Sequence, residues 1–599
     1  MTRGRFGNAA GQRRIERLSD IPAGAASSAC FVFKRVRHAS PQPMCKIARQ
    51  LPYPLLELRT TMSAITRPIS NYHAGFVRFA RVLFSAVLLA HAGGVMAAAP
   101  AKPPNVIILF ADQLRFQSCG FSDPRAITPN IDGLARQGML FRNFVSTSPV
   151  CSAFRASLLT GKYASSTGVV VNEMRMNPNH DTFAHVLKAA GYRTDYIGKW
   201  HLWAHQAGGH AGAENNFVPP GPYRMGFDDF WAVYNFGHDN YNYSYWMDTP
   251  EEIKGGVFKP VFDSDMAIDQ IRHHAKTGDP FAMVVAYSPP HDPWSVKNCP
   301  PEWYAKFKNV EFPLPETWQE EPDPYMDRNT DREAWLKMWK LRLPDMMRVY
   351  YAMTAGLDEQ IGRVLATLKD TGLENNTIVM FMSDHGEMFG AHGRVYKMTF
   401  YEESVRVPMI IRWPGQIPAG AVSDACMSSP DIMPTILGLC GRKIPAAVEG
   451  MNLAQIACGK SGPEPEFALL QGMGHTFQWK DGFEWRALRD KQFTYARYLK
   501  DGKELLFDNK IDPLQKHDLA GDPASAGKLS ELRLKMNQKM TSIHDDFKPC
   551  SWYNEHWTQD RVIMRGGPGE FKRELGETIQ VDTDYGKMPN EARPKNSRK

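Results

Sequence analysis

The sequence predicts an α/β protein built on a large mixed, mostly parallel central sheet flanked by helices, with a smaller C-terminal α+β subdomain containing an antiparallel sheet. Three observations carry this. The runs from Asn105 to Phe110, Phe281 to Tyr287 and Thr377 to Ser383 are almost continuously apolar, as strands covered on both faces must be. Segments of helical spacing separate them, around residues 131–138, 181–190 and 347–369. The last brings Tyr350, Met353, Leu357, Ile361, Val364 and Leu368 onto one face, and strands alternating with such helices favour a sheet sandwiched between helical layers. Beyond a polar, Gly- and Pro-rich stretch at 445–468, the runs from Trp485 to Arg489 and from Lys491 to Tyr498 read as neighbouring antiparallel strands. Asp501-Gly502 and Asp508-Asn509 supply turn chemistry beside them.

From the N-terminus, residues 1–61 read as an upstream or disordered extension. Residues 62–99 have the order of a secretory signal: Arg78 and Arg81, a short apolar run from Val82 to Ala90, then Ala97-Ala98-Ala99 before Pro100. The apolar run is too short for a convincing membrane span, so the mature chain is expected to be periplasmic or extracellular. A catalytic domain over 100–460, an antiparallel-sheet subdomain over 461–565 and an extended tail over 566–599 complete the expected organisation. Residues 205–260 and 292–345 lack periodicity and read as inserts of the kind that line clefts.

The formal charge of +7 is misleading. Residues 1–99 hold 14 Lys and Arg against 3 Asp and Glu, so the rest of the chain carries 57 basic against 61 acidic residues. Basicity belongs to the leader and gives no footing to a nucleic-acid partner. Nine widely spaced cysteines form neither a zinc motif nor a dense disulfide framework, and their pairing stays open.

Two apolar strands end in polar pairs, Asp112-Gln113 and Asp384-His385-Gly386. Functional groups gather beyond the carboxyl ends of parallel strands, so these distant pairs are candidates to meet. Two carboxylates and an amide oxygen suit a hard cation, Ca2+ first with Mg2+ or another divalent ion as alternatives, whereas the His385 nitrogen fits calcium less cleanly. The bland reading of each pair is a turn or helix cap. Cys151 stands near Arg155, which would favour a thiolate.

The wider pattern is more specific. Cys-x-Ala-x-Arg at 151–155, followed after four residues by Thr160-Gly161, resembles the type I sulfatase signature. NVIILFADQLR at 105–115, TPNIDGL at 128–134, GKWH at 198–201, Pro290-His291, Asp384-His385-Gly386 and Lys397 follow the same family in order, across roughly residues 103–520. The resemblance implies an alkaline-phosphatase-like fold and a sulfuric ester hydrolase. It implies that a formylglycine-generating enzyme converts Cys151 to formylglycine (3-oxoalanine). One hydroxyl of its hydrate attacks sulfur and the second expels sulfate. It assigns Asp112, Gln113, Asp384 and His385 as metal ligands, Arg155 as support for the hydrate, and Lys199 and Lys397 as sulfate contacts. His201 becomes the proton acceptor and His291 the general acid. The family often has Asp at the position of Gln113 and Asn at that of His385, which bears on the identity of the cation.

Asp292 and His392 are further candidates for substrate binding, whereas Lys162 is expected to face solvent. The aromatic insert from Trp231 to Trp246 could form a sugar-binding wall or simply pack between loops. The expected substrate is a sulfated carbohydrate or aryl sulfate. A phosphonate monoester or phosphodiester hydrolase of the same superfamily is the rival, and a nonenzymatic sulfated-glycan-binding protein the alternative of another class. No coiled-coil pattern marks an oligomer surface.

Overall fold

A computed structural model describes residues 102–204, 210, 212–326, 330–559 and 562–563. The leader expected over 1–99 and the tail expected over 566–599 lie outside the described residues. Eight strands, β1 (Asn105–Asp112), β2 (Met139–Phe141), β3 (Arg193–Lys199), β4 (Phe230–Tyr234), β5 (Phe281–Pro290), β6 (Thr377–Ser383), β7 (Met409–Arg412) and β8 (Ala421–Ser423), make the central sheet. Their order is β8-β2-β7-β6-β1-β5-β3-β4. Only β7 runs antiparallel to its neighbours β2 and β6, so the sheet is mixed and mostly parallel.

Alternation along β1 explains why its whole length is apolar. Val106, Ile108 and Phe110 enter one core with Phe154 and Leu158 of α2 (Cys151–Thr160) and Leu187 of α3 (Phe183–Ala189). Ile107, Leu109 and Ala111 enter the other, with Ile131 of α1 (Pro129–Gln137), Ile271 of α4 (Lys259–Thr277) and Leu357 and Ile361 of α5 (Leu343–Asp370). Burying a Val, Leu or Ile side chain is worth about 1.5–3 kcal/mol, and β1 buries such residues on both faces. A further helix, α6 (Ile432–Leu439), packs on the α2 side.

The C-terminal sheet orders β9 (Ala468–Gly472), β10 (Trp485–Arg489), β11 (Phe493–Tyr498) and β12 (Glu504–Asp508), each antiparallel to the next. One face, with Leu470, Trp485 and Ala496, meets Val145, Met388 and Phe400. The other, with Leu488, Tyr495 and Leu506, is covered by Leu532 and Met536 of α7 (Ala526–Ser542).

Most of the aromatic insert packs between loops, with Trp231, Tyr234, Tyr245 and Trp246 buried. All seven cysteines among the described residues are free thiols, and no helix among those residues is long and apolar enough to cross a membrane.

Candidate active site

Strand register builds the site. β1 and β6 pair in step from Asn105 with Thr377 to Ala111 with Ser383, so Asp112 and Asp384, the next residues, emerge side by side. On the other flank Asp112 is opposite Pro290, with His291 next in the chain. β3 pairs with β5 through Gly198 and Ala286 and ends at Lys199. Gly198 is required there: its φ is +98° and a Cβ would lie 2.1 Å from the Ala286 carbonyl oxygen. Cys151 opens α2 and Arg155 follows one turn later, both 1% exposed.

The carboxyl edge is densely charged. Lys199 Nζ donates to Asp112 Oδ2 at 2.7 Å, and Arg155 donates to Asp112 Oδ2 at 3.2 Å and Asp384 Oδ2 at 3.4 Å. Arg155 also donates to the Lys199 carbonyl. Cys151 Sγ is 3.7 Å from Asp112 Oδ1 and 3.2 Å from His385 Nε2. Ligand atoms of Asp112, Cys151, Asp384 and His385 all lie within 4.8 Å of one another. The Nδ1 of His385 is 3.1 Å from the Gly386 carbonyl, so its proton sits there and Nε2 presents a lone pair to the cluster. This donor set fits a divalent cation.

Gln113, at φ +70°, donates its backbone N–H to Asp384 Oδ1 at 3.0 Å. Its Oε1 accepts from Lys397 Nζ at 3.1 Å. Lys397 Nζ also lies 3.0 Å from His291 Nε2, and the His291 Nδ1 lies 2.9 Å from the Asp292 carbonyl. His201, at φ +57°, is buried with no hydrogen-bond partner for Nδ1 among the described residues.

Charge and burial set the protonation preferences. Burial opposes the Asp112 charge, yet Lys199, His291, Arg155 and His385 together hold its carboxyl well below the usual range. Burial, then the charge of Asp112, pushes Asp384 up. Burial drives His201 and His291 well below the ordinary imidazole value, reinforced by Lys199 for the first and Lys397 for the second, and takes His385 down to about 4. The resting histidines are therefore held neutral by their burial.

A cavity of about 320 Å³ opens onto this edge. Cys151, His201, His291, Asp292 and Lys397 line it, while Asp112, Gln113, Arg155, Lys199, Asp384 and His385 form the buried layer behind Cys151. His392 is a correction: it does not line the cavity. Its backbone N–H donates to the Thr317 carbonyl at 2.8 Å and its ring stacks on Tyr401 at 3.9 Å, which turns it into the loop packing. Lys162 is also corrected, since it is only 8% exposed and acts electrostatically on Glu449.

Several cavity residues escaped the sequence reading. His238 stacks on His291 with centroids 3.8 Å apart, and Phe477 lines the same space, beside Phe236 of the aromatic insert. Glu387, fully buried and pushed by burial up to about 7, accepts from Gln113 Nε2 at 2.6 Å. The acidic residue three positions after Asp384 was the available signal for Glu387. Nothing local distinguishes His238 from other loop histidines.

A sheet edge that gathers a nucleophile position, paired carboxylates and cationic anchors defines a hydrolase of the alkaline-phosphatase-like superfamily. The sulfatase family model matches residues 104–442, and the model of the C-terminal part of N-sulphoglucosamine sulphohydrolase matches 390–545. An ulvan-active sulfatase from Formosa agariphila is 34% identical over 76% of this chain and 84% of its own length. An endo-4-O-sulfatase from Bacteroides thetaiotaomicron is 29% identical over 77% of this chain and 96% of its own. The solved structure of the sulfatase-family protein yidJ from Bacteroides fragilis superposes with a TM-score of 0.66 at 28% identity, covering 77% of this chain and 99% of that one. The chain belongs to the sulfatase family and is a sulfuric ester hydrolase.

Proposed function

We propose that the protein is an exported sulfatase that releases sulfate from a carbohydrate ester, with Cys151 matured to formylglycine by a formylglycine-generating enzyme. In this reading Asp112, Gln113, Asp384 and His385 hold a divalent cation, calcium first. The observation that carries it is the meeting of Cys151 Sγ with Asp112 and His385, at 3.7 and 3.2 Å, behind a cavity lined by His201, His291 and Lys397. The names of the ulvan-active and endo-4-O relatives favour a sulfated carbohydrate.

When bound, the cation would polarise a sulfate oxygen and offset its charge. The aldehyde hydrate supplies one hydroxyl as nucleophile and a second whose proton loss releases sulfate. Arg155 and Lys199 fix the charge around that hydrate. His201, buried and neutral, takes the proton of the second hydroxyl. Lys397 faces the sulfate oxygens and donates toward His291 Nε2, 3.0 Å away, and His291 passes that proton to the departing alcohol.

Two measurements test this. Peptide mass spectrometry should find the Cys151 peptide lighter by about 18 Da, the change from thiol to aldehyde that the covalent mechanism needs. A panel of sulfated mono- and oligosaccharides, run beside phosphodiesters and phosphonate monoesters, should show turnover of the sulfates. Full activity with an unmodified thiol would remove the formylglycine mechanism. Preference for a diester or phosphonate would favour the rival activity on this fold.

A further inference from the structure

Position 113 carries an amide, and an amide has two faces of opposite chemistry. With its oxygen toward the cation site Gln113 is a ligand, and with its NH2 there it repels a cation. We propose that Glu387 is the positioning residue that fixes this choice. The inference rests on the metal-centre reading above.

The contacts leave the amide one orientation. Glu387 Oε1 accepts from the backbone N–H groups of Phe389 at 3.0 Å and Tyr396 at 2.7 Å, so the carboxylate is clamped within its own loop. Its Oε2 faces Gln113 Nε2 at 2.6 Å. Lys397 Nζ only donates, so the amide presents its oxygen to Lys397 and its NH2 to Glu387. Gln113 Oε1 is thereby aimed the other way, where it accepts from Lys397 Nζ at 3.1 Å on the side of the charged centre. The backbone of Gln113 is pinned as well: its N–H donates to Asp384 at 3.0 Å and its carbonyl accepts from the Tyr350 hydroxyl at 2.6 Å. Both residues are 0% exposed, so water does not substitute for either partner.

Charge accounting points the same way. Arg155, Lys199 and Lys397 place three cationic side chains around Asp112 and Asp384. Two carboxylates among three cations form a poor seat for a dication. Fixing the Gln113 oxygen toward the centre adds an acceptor to that seat, so the orientation of the amide weighs directly on cation binding. Groups behind metal ligands commonly govern affinity in this manner.

The substitution Glu387→Gln has a defined consequence. Its oxygen must stay with the Phe389 and Tyr396 N–H groups, so its new NH2 faces Gln113. Gln113 must then turn its oxygen toward residue 387 and its NH2 toward the cation. The swap Gln113→Glu with Glu387→Gln restores an acceptor toward the centre.

The experiment is calcium titration by calorimetry of the chelator-stripped full-length protein, with circular dichroism of each variant. Wild type should bind one calcium. Glu387→Gln should weaken its dissociation constant about 10- to 100-fold while keeping the fold, and the swapped double variant should return to within about threefold of wild type. If wild type binds calcium and Glu387→Gln binds it equally well, the inference fails and the metal reading stands. If wild type binds no divalent ion, the metal reading itself fails. Should Glu387→Gln not fold, recovery of both fold and calcium binding in the double variant supports the inference, and failure of the double variant overturns it.

Discussion

Asp112 sits at the crossing of nearly every interaction in the centre, with Lys199 at 2.7 Å, Arg155 at 3.2 Å and Cys151 at 3.7 Å. Its acidity is a property of the neighbours that the strand register delivers. The proposed mechanism gives the Lys397–His291 pair a separate task, and the difference is measurable. Replacing His291 by Gln keeps the size and loses the proton, so turnover of alkyl and sugar sulfates should fall by about 10²- to 10⁴-fold. Aryl sulfates with acidic phenols should suffer far less, because their leaving oxygen needs no proton. Equal losses across a series of leaving groups would deny His291 the acid role. Residues at motif positions were legible in the sequence because chemistry restricts their type. Glu387 and His238 were not, since each takes its meaning from a partner remote in sequence, Gln113 and His291 respectively.

Among the elements, strands with unbroken apolar runs were legible, because a strand buried on both faces leaves no polar alternation to confuse with a surface segment. α4 was not, since Asp263, Ser264 and His274 occupy its buried side and blur the helical pattern. His274 pairs there with Asp195 of β3 at 2.6 Å, a polar join between helix and strand. The join between α1 and α5 is polar too. Asp358 accepts from the backbone N–H of Ile131 at 2.8 Å and Asn130 at 3.1 Å, capping α1 from another helix. Burial pushes Asp358 up to about 6, above the unfolded value of about 3.9. The folded state therefore holds the proton more tightly. Its contribution is full below about pH 4 and lost as pH rises through about 6, with an upper bound of about 3 kcal/mol. Between pH 7.5 and pH 5 the melting temperature of wild type should gain on that of Asp358→Asn. A difference independent of pH would show that Asp358 titrates normally.

Across the whole molecule, the cavity draws Phe236 from the insert after β4, Lys397 from the segment after β6 and Phe477 from the loop between β9 and β10, so its lining depends on connections of both sheets. Arg486 of β10, fully buried, ties the C-terminal sheet to the segment after α7, donating to Asp545 at 2.7 Å and to the Tyr553 hydroxyl at 3.0 Å. Arg486→Met strands the Asp545 charge and should cost about 3–5 kcal/mol, read as a lower denaturant midpoint. Adding Asp545→Asn should recover much of that loss. No recovery would mean that packing of the guanidinium, rather than its charge, governs the effect.

Cys151 begins a helix whose ten residues are all buried, and its own surface is 1% exposed. A second enzyme that must grip the surrounding peptide has nothing to hold once the chain has closed. Under the formylglycine reading, maturation is therefore a matter of timing: the oxidation belongs to the nascent chain, ahead of tertiary assembly. Folded thiol protein mixed with the generating enzyme should stay inert, whereas a short peptide spanning 148–162 should be converted. Conversion of both at equal rates would show that the helix opens freely enough for chemistry to follow folding.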